Sequence, residues 1–186
     1  MLDKLTMKVN RRYLIISLSV VLVLGIFMMG FYARWFSTMA NGYPYMETKF
    51  FYAPQDLLDM AAGYGSHGRD LYIKTSLSLD MIIPLAAANF LTAFALYLTK
   101  KFKRGDRWRK AIFTSGIAVC LTDWFENFCM MGILMSFPAQ PYWMAVAGRV
   151  LTSVKYAMAL AFVIMLILEL YQIKRQNQAV NIANSR

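Results

Sequence analysis

Long apolar stretches separated by short polar ones make up most of the chain, and four of them stand out: about 12–38, 72–100, 108–137 and 142–173. A hydrocarbon core about 30 Å thick needs roughly 20 helical residues to cross it, and each stretch exceeds that. The pattern predicts an all-α membrane protein: one bundle of four transmembrane helices over residues 1–175, then a polar tail, 176–186, expected to fray. The segments between the spans leave no room for a second domain. The start of the first span, "MKVNRRYLIISLSVVLVLG", has the basic and apolar parts of a signal peptide. Its apolar run continues through "IFMMGFYARWF", past the ~7–15 residues of a cleavable core, so a retained helix is expected.

The longest polar interruption, 39–71, should lie outside the bilayer. "NGYPY" reads as a turn, and "APQDLLDMAAG" as a short helix with Pro54 near its first position and Gly63 at its end. Asp56 and Asp59 sit toward its N-terminal half, where the helix dipole favours them. "GYGSHG" is expected to break the chain before "RDLYIKTSLSLDMIIPL" starts the second span. The segment is too small for its own core and should lie across the outer mouth of the bundle. Tyr32, Trp35, Phe36, Tyr43, Tyr45, Phe50, Phe51 and Tyr52 crowd this level. They are expected to form an interfacial belt, with a lid over a cavity as the alternative.

Composition and charge sharpen this picture. The chain has 186 residues, is 59% hydrophobic and 15% aromatic, and carries a formal charge of +10. Those values exclude a disordered chain. The basic residues adjoin apolar runs instead of covering a polar surface, which argues against a nucleic-acid binder. Lys4, Lys8, Arg11 and Arg12 precede span 1; Lys100, Lys101, Lys103, Arg104, Arg107, Arg109 and Lys110 separate spans 2 and 3; Lys174, Arg175 and Arg186 follow span 4. Between the apolar centres of spans 1 and 2, Arg34, Lys49, Arg69 and Lys74 are balanced by Glu47, Asp56, Asp59 and Asp70. The positive-inside rule then puts both termini in the cytoplasm. A multi-pass cell membrane location is expected, in a bacterial inner membrane given the lack of a glycosylation sequon. Cys120 and Cys129 lie nine residues apart, about 180° around a helix, and cannot pair with each other. With His67 as the one histidine, neither a metal nor a cofactor is expected.

"YGSHGRDLYIKTSLSLDMIIP" and "DWFEN" resemble stretches of small uncharacterised four-span bacterial membrane proteins. That resemblance implies the four-span fold and no particular activity. The layout is also similar to that of claudin-type proteins, without their cysteines in the first outer segment.

The candidate chemistry centres on "LTDWFENFCM" in span 3. Ionisable groups within a span cost about 2.5–3.5 kcal/mol each on insertion scales and normally face partners or water. At 100° per residue, Asp123, Glu126 and Asn127 share a sector of about 100°. Glu126 should lie roughly 16 Å below the outer end of span 3, and Arg149 and Lys155 about 10 and 20 Å down span 4. Two carboxylates would then meet two cations. In span 2, Asp80 lies near the outer end and Asn89 near mid-depth, with Pro84 between them expected to leave a carbonyl free for water or ligand. Thr152, Ser153 and Tyr156 supply further hydrogen-bonding groups.

Three functions fit these residues. The first is binding or transport, with an outward-opening polar pocket for a small cation, an amine or a lipid head group. Asp80 would stand at its mouth, with no evident cation beyond Lys74 or Arg69. The second is a structural or accessory subunit in which the buried charges only pair helices. The third is an enzyme acting on a lipid, with Glu126 or Asp123 as general acid/base and Asn127 or Lys155 stabilising charge. Expected partners are membrane lipids, the small ligand, and a second copy or another membrane protein.

Overall fold

The computed structural model describes residues 9–48, 52–101 and 106–184, which form helices joined by short turns, with no strand among them. Helix α1 runs Arg11–Met39. Asn10 caps its start by accepting a hydrogen bond from the Tyr13 backbone N–H at 2.9 Å. Phe27–Tyr32 within α1 is wound as a π-helix. A 3-10 turn at Met46–Thr48 leads to α2, Pro54–Gly63, with Pro54 at its first turn as expected. Then come α3, Gly65–Ser76; α4, Leu79–Lys101; α5, Asp106–Met135; and α6, Tyr142–Asn184. Four helical stretches are long and apolar enough to cross a membrane: Arg11–Met39, Gly65–Thr99, Arg107–Met135 and Tyr142–Gln172.

Two boundaries differ from expectation. The second long helix starts at Gly65 rather than near 72, because "GSHG" is helical. The break falls instead at Tyr64–Gly65, where Gly65 takes a φ of +67°, a conformation open to glycine without steric cost. At the other end α6 continues past Gln176 to Asn184, through a stretch containing no Gly or Pro to stop it. Lys4, Lys8, Lys49, Phe50, Phe51, Lys103, Arg104 and Arg186 lie outside the described residues.

Helix α5 packs along both α4 and α6, while α1 leans chiefly on α4. Where α4 and α5 cross, a Cβ on Gly116 would stand 2.1 Å from Thr92 Oγ1, so any larger residue would force the Thr92 hydroxyl to turn away. A small apolar core of Ala95, Leu98, Ile112, Phe162 and Leu166 closes the end near the 102–105 connection.

The larger core sits at the opposite end, under the segment that joins α1 to α3. Leu57, Leu58, Met60 and Ala61 of α2 enter the same core as Met130 and Ile133 of α5 and Ala145 of α6. The segment thus covers the mouth of the bundle and shares its core. This corrects the expected aromatic belt. Tyr32, Phe36, Tyr45 and Tyr52 are buried, and only Trp35 and Tyr43 of the described set are exposed. Tyr45 stacks on Tyr72 at 4.5 Å between ring centres, and Phe36 meets Tyr45 and Tyr64 edge-on at 5.0 and 5.1 Å. A short segment without a core of its own gains most by burying its large rings in its neighbour's.

Candidate functional site

Pro84 organises the first part of the site. Lacking an N–H, it leaves the carbonyl four residues earlier, that of Asp80, without its helical donor. Helix α5 supplies the replacement: Asn127 Nδ2 donates to the Asp80 carbonyl at 3.3 Å, and Trp124 Nε1 donates to the next carbonyl, Met81, at 3.1 Å. The carbonyl expected to be open to water or ligand is therefore filled by protein. Asn127 is wholly buried, and its Oδ1 has no partner.

One turn away on α5, the acids meet a cation. Lys155 Nζ lies 2.7 Å from Asp123 Oδ1 and 2.5 Å from Glu126 Oε2. Thr152 Oγ1 stands 2.6 Å from Glu126 Oε1 and 2.9 Å from the Gly148 carbonyl, and the nearer, charged acceptor takes its proton. The Tyr52 hydroxyl then donates to Thr152, tying the covering segment to the buried acid. Lys155 Nζ also lies 5.5 Å from the centre of the Tyr156 ring, within cation–π range.

Three expected members are elsewhere. Arg149 is exposed and forms no ion pair among the described residues. Six residues separate it from Lys155, which puts the two about 120° apart around α6, so matching depth could not bring both to one face. Ser153 is likewise exposed, donating to the Arg149 carbonyl at 3.0 Å. Asn89 is exposed and accepts a hydrogen bond from the Tyr13 hydroxyl at 2.7 Å. Nine residues from Asp80, it lies about 180° away on α4.

Asp80, 2% exposed, faces a different set of groups. Its Oδ2 accepts hydrogen bonds from Ser76 Oγ at 3.2 Å and from the Tyr45 hydroxyl. Neither nearby cation serves it. Lys74 pairs with Asp70 at 2.7 Å, while Arg69 donates to the Ala61 carbonyl at 3.1 Å and lies over the Phe137 ring at 3.9 Å. The group beside Asp80 is a further acid, Glu47, on the wall of the same cavity. Glu47 Oε1 is buried and has no partner.

Sequence reasoning counted Glu47 only as a balancing charge of the outer segment. Its one local signal is that it is the only acid in the aromatic run "YPYMETKFFY". Burial pushes the Glu47 carboxyl well above the usual carboxylate range; the neighbouring Asp80 charge adds to the rise and Lys155 opposes it. Burial, reinforced by Glu47 and Asp80, likewise raises the Tyr45 phenol, which stays protonated and donates. The Tyr52 phenol is pushed up to about 12, burial being the main cause.

Glu47, Asp80 and Asp123 all line a cavity of about 270 Å³ between α1, α4 and α5, together with Tyr45 and the apolar Met28, Met29, Ile83 and Val119. A second cavity of about 390 Å³ lies among the same helices toward their other end, lined by Tyr13, Asn89, Gly116, Cys120 and Trp124 among mainly apolar groups. Among the described residues no three His, Cys, Asp or Glu side chains stand close enough together to hold one metal ion. The acids are spread along the cavity wall. No family model, curated protein or solved structure matches the chain.

Proposed function

We propose that the chain is a multi-pass membrane protein that binds a small organic cation, a protonated or quaternary amine, in the cavity between α1, α4 and α5. The observation that carries this reading is an excess of acid: among the described residues the buried Asp80 and Glu126 and the partly buried Glu47 and Asp123 share one cation, Lys155, which is already engaged by Asp123 and Glu126. A buried carboxylate without a counter-charge is costly in a low-dielectric interior, and a bound cation offsets that cost. The aliphatic and methionine walls suit the apolar part of an amine, with the acids fixing its charged end. The many exposed apolar side chains on the long helices support insertion in a bilayer. Charge placement along the sequence supports cytoplasmic termini, which would turn this cavity toward the outer face, and a bacterial inner membrane fits the same pattern.

Part of the polar stripe supports a packing role as well. Lys155 serves two acids and Asn127 replaces the helical bond lost at Pro84, so both hold helices together. A purely structural role accounts for that half of the site and leaves Glu47 and Asp80 without a purpose. Acid/base chemistry on a lipid would have to use the same two acids, with Lys155 committed elsewhere.

Equilibrium dialysis of benzyltrimethylammonium against protein in lipid nanodiscs tests the reading. Saturable binding that weakens at least tenfold in Asp80→Asn, with no binding of benzenesulfonate, is expected. Binding that does not saturate, or that Asp80→Asn leaves unchanged, would refute it.

A further inference from the structure

We infer that cation binding in this cavity is an exchange: Glu47 and Asp80 share one proton when the cavity is empty, and an organic cation arriving beside them drives that proton out to water. The inference rests on the binding role proposed above and adds its coupling. Two carboxyls side by side on the wall of one cavity cannot both ionise cheaply, so such a pair retains one proton between them. The surroundings say which acid carries it. Asp80 receives hydroxyl donors from Ser76 and Tyr45, which favour its ionised form. Glu47 has a buried Oε1 with no donor at all, an environment that favours the neutral acid.

The other groups that act on Glu47 do not change this assignment. Asp123 and Glu126 on α5 add negative charge, and Lys155 on α6 is held between those two acids. Tyr64 and Tyr72 are buried neutral phenols, and α1 contributes only Met28, Met29 and small residues to the cavity wall. The rise in the Glu47 carboxyl caused by burial and by Asp80 agrees with the geometry.

The step balances. The Glu47 O–H bond breaks heterolytically, the electron pair stays on the carboxylate, the proton leaves to solvent, and the ammonium group takes up the charge. The net charge of the cavity is the same before and after, so the buried acids never face the interior with an extra uncompensated negative charge. A permanent cation is the best probe, because it brings no proton of its own.

Isothermal titration calorimetry of benzyltrimethylammonium into nanodisc-embedded protein at neutral pH, in phosphate and in Tris, counts the protons through the dependence of the heat on the buffer's ionisation enthalpy. Release of about one proton per bound cation is expected for the natural sequence, and close to none for Glu47→Gln, which should bind more weakly. Equal heats in the two buffers for the natural sequence, with binding intact, would overturn the exchange and leave the binding role standing. Failure to bind at all would overturn both. Should Glu47→Gln not fold, the natural sequence alone decides: affinity should rise about tenfold per pH unit over the range where a proton is displaced, and a flat profile contradicts the exchange.

Discussion

The two flanks of the buried acid cluster solve the same electrostatic problem in opposite ways. On the α5–α6 flank, Asp123 and Glu126 are matched by Lys155 and a donating threonine, and the helices are in close contact. On the α1–α4 flank, Asp80 has two hydroxyl donors and Glu47 beside it, with no paired cation among the described residues, and a cavity. One flank is finished as a packing device; on the other, no cation among the described residues pairs with the acids, which is what the proposed ligand would supply. The same chain contains both, so the unmatched acids are not a general tolerance for buried charge.

The largest effect should come from spoiling the finished flank. Lys155→Met strands two buried carboxylates and should cost about 3–5 kcal/mol, seen as a steep drop in melting temperature or loss of folded protein. A variant that melts within a degree or two of the natural sequence would show that the ion pairs carry little. Thr152→Val removes the donor to Glu126 and the acceptor for Tyr52 while keeping the shape, and should cost about 1–3 kcal/mol by thermal or denaturant unfolding.

Glu47 should reveal itself through pH. Its folded carboxyl titrates well above the ordinary value of 4.5, so the folded chain holds a proton that the unfolded chain gives up. Its stabilising contribution is complete below about pH 4.5 and is lost as pH rises through the folded-state value. Melting temperature should therefore fall as pH rises from mild acid, and Glu47→Gln should flatten that slope; an unchanged slope would place the titration elsewhere. The smallest effect is expected at Arg149. Arg149→Gln should change stability by no more than about 0.5 kcal/mol and leave cation binding intact, because the side chain is exposed and outside the cluster. A loss of several kcal/mol would restore it to the charge network.

What could be read from the sequence follows from how each feature is encoded. Four apolar runs announce four long helices by length alone, and the stripe of Asp123, Glu126 and Asn127 follows from the helical period. Pro84 rightly pointed to a free carbonyl, though not to the α5 amide that fills it. Depth along a helix, without the angle around it, wrongly paired Arg149 with the acids and drew Asn89 toward Asp80. Glu47 was hidden for another reason. It sits in a connecting segment with no periodicity, and only the folding of that segment over the bundle mouth brings it beside Asp80. The aromatic belt failed on the same point, since burial of Tyr45 and Tyr52 depends on where the segment lies.

If the α1–α4 flank takes a cation as proposed, locating one there is the most direct test. A structure of the protein soaked with 4-bromobenzyltrimethylammonium, with bromine located by anomalous scattering, should show a peak in the cavity between α1, α4 and α5, with the ammonium end toward Glu47 and Asp80. A peak only on the outside of the helices, or the same occupancy in Asp80→Asn, would contradict it.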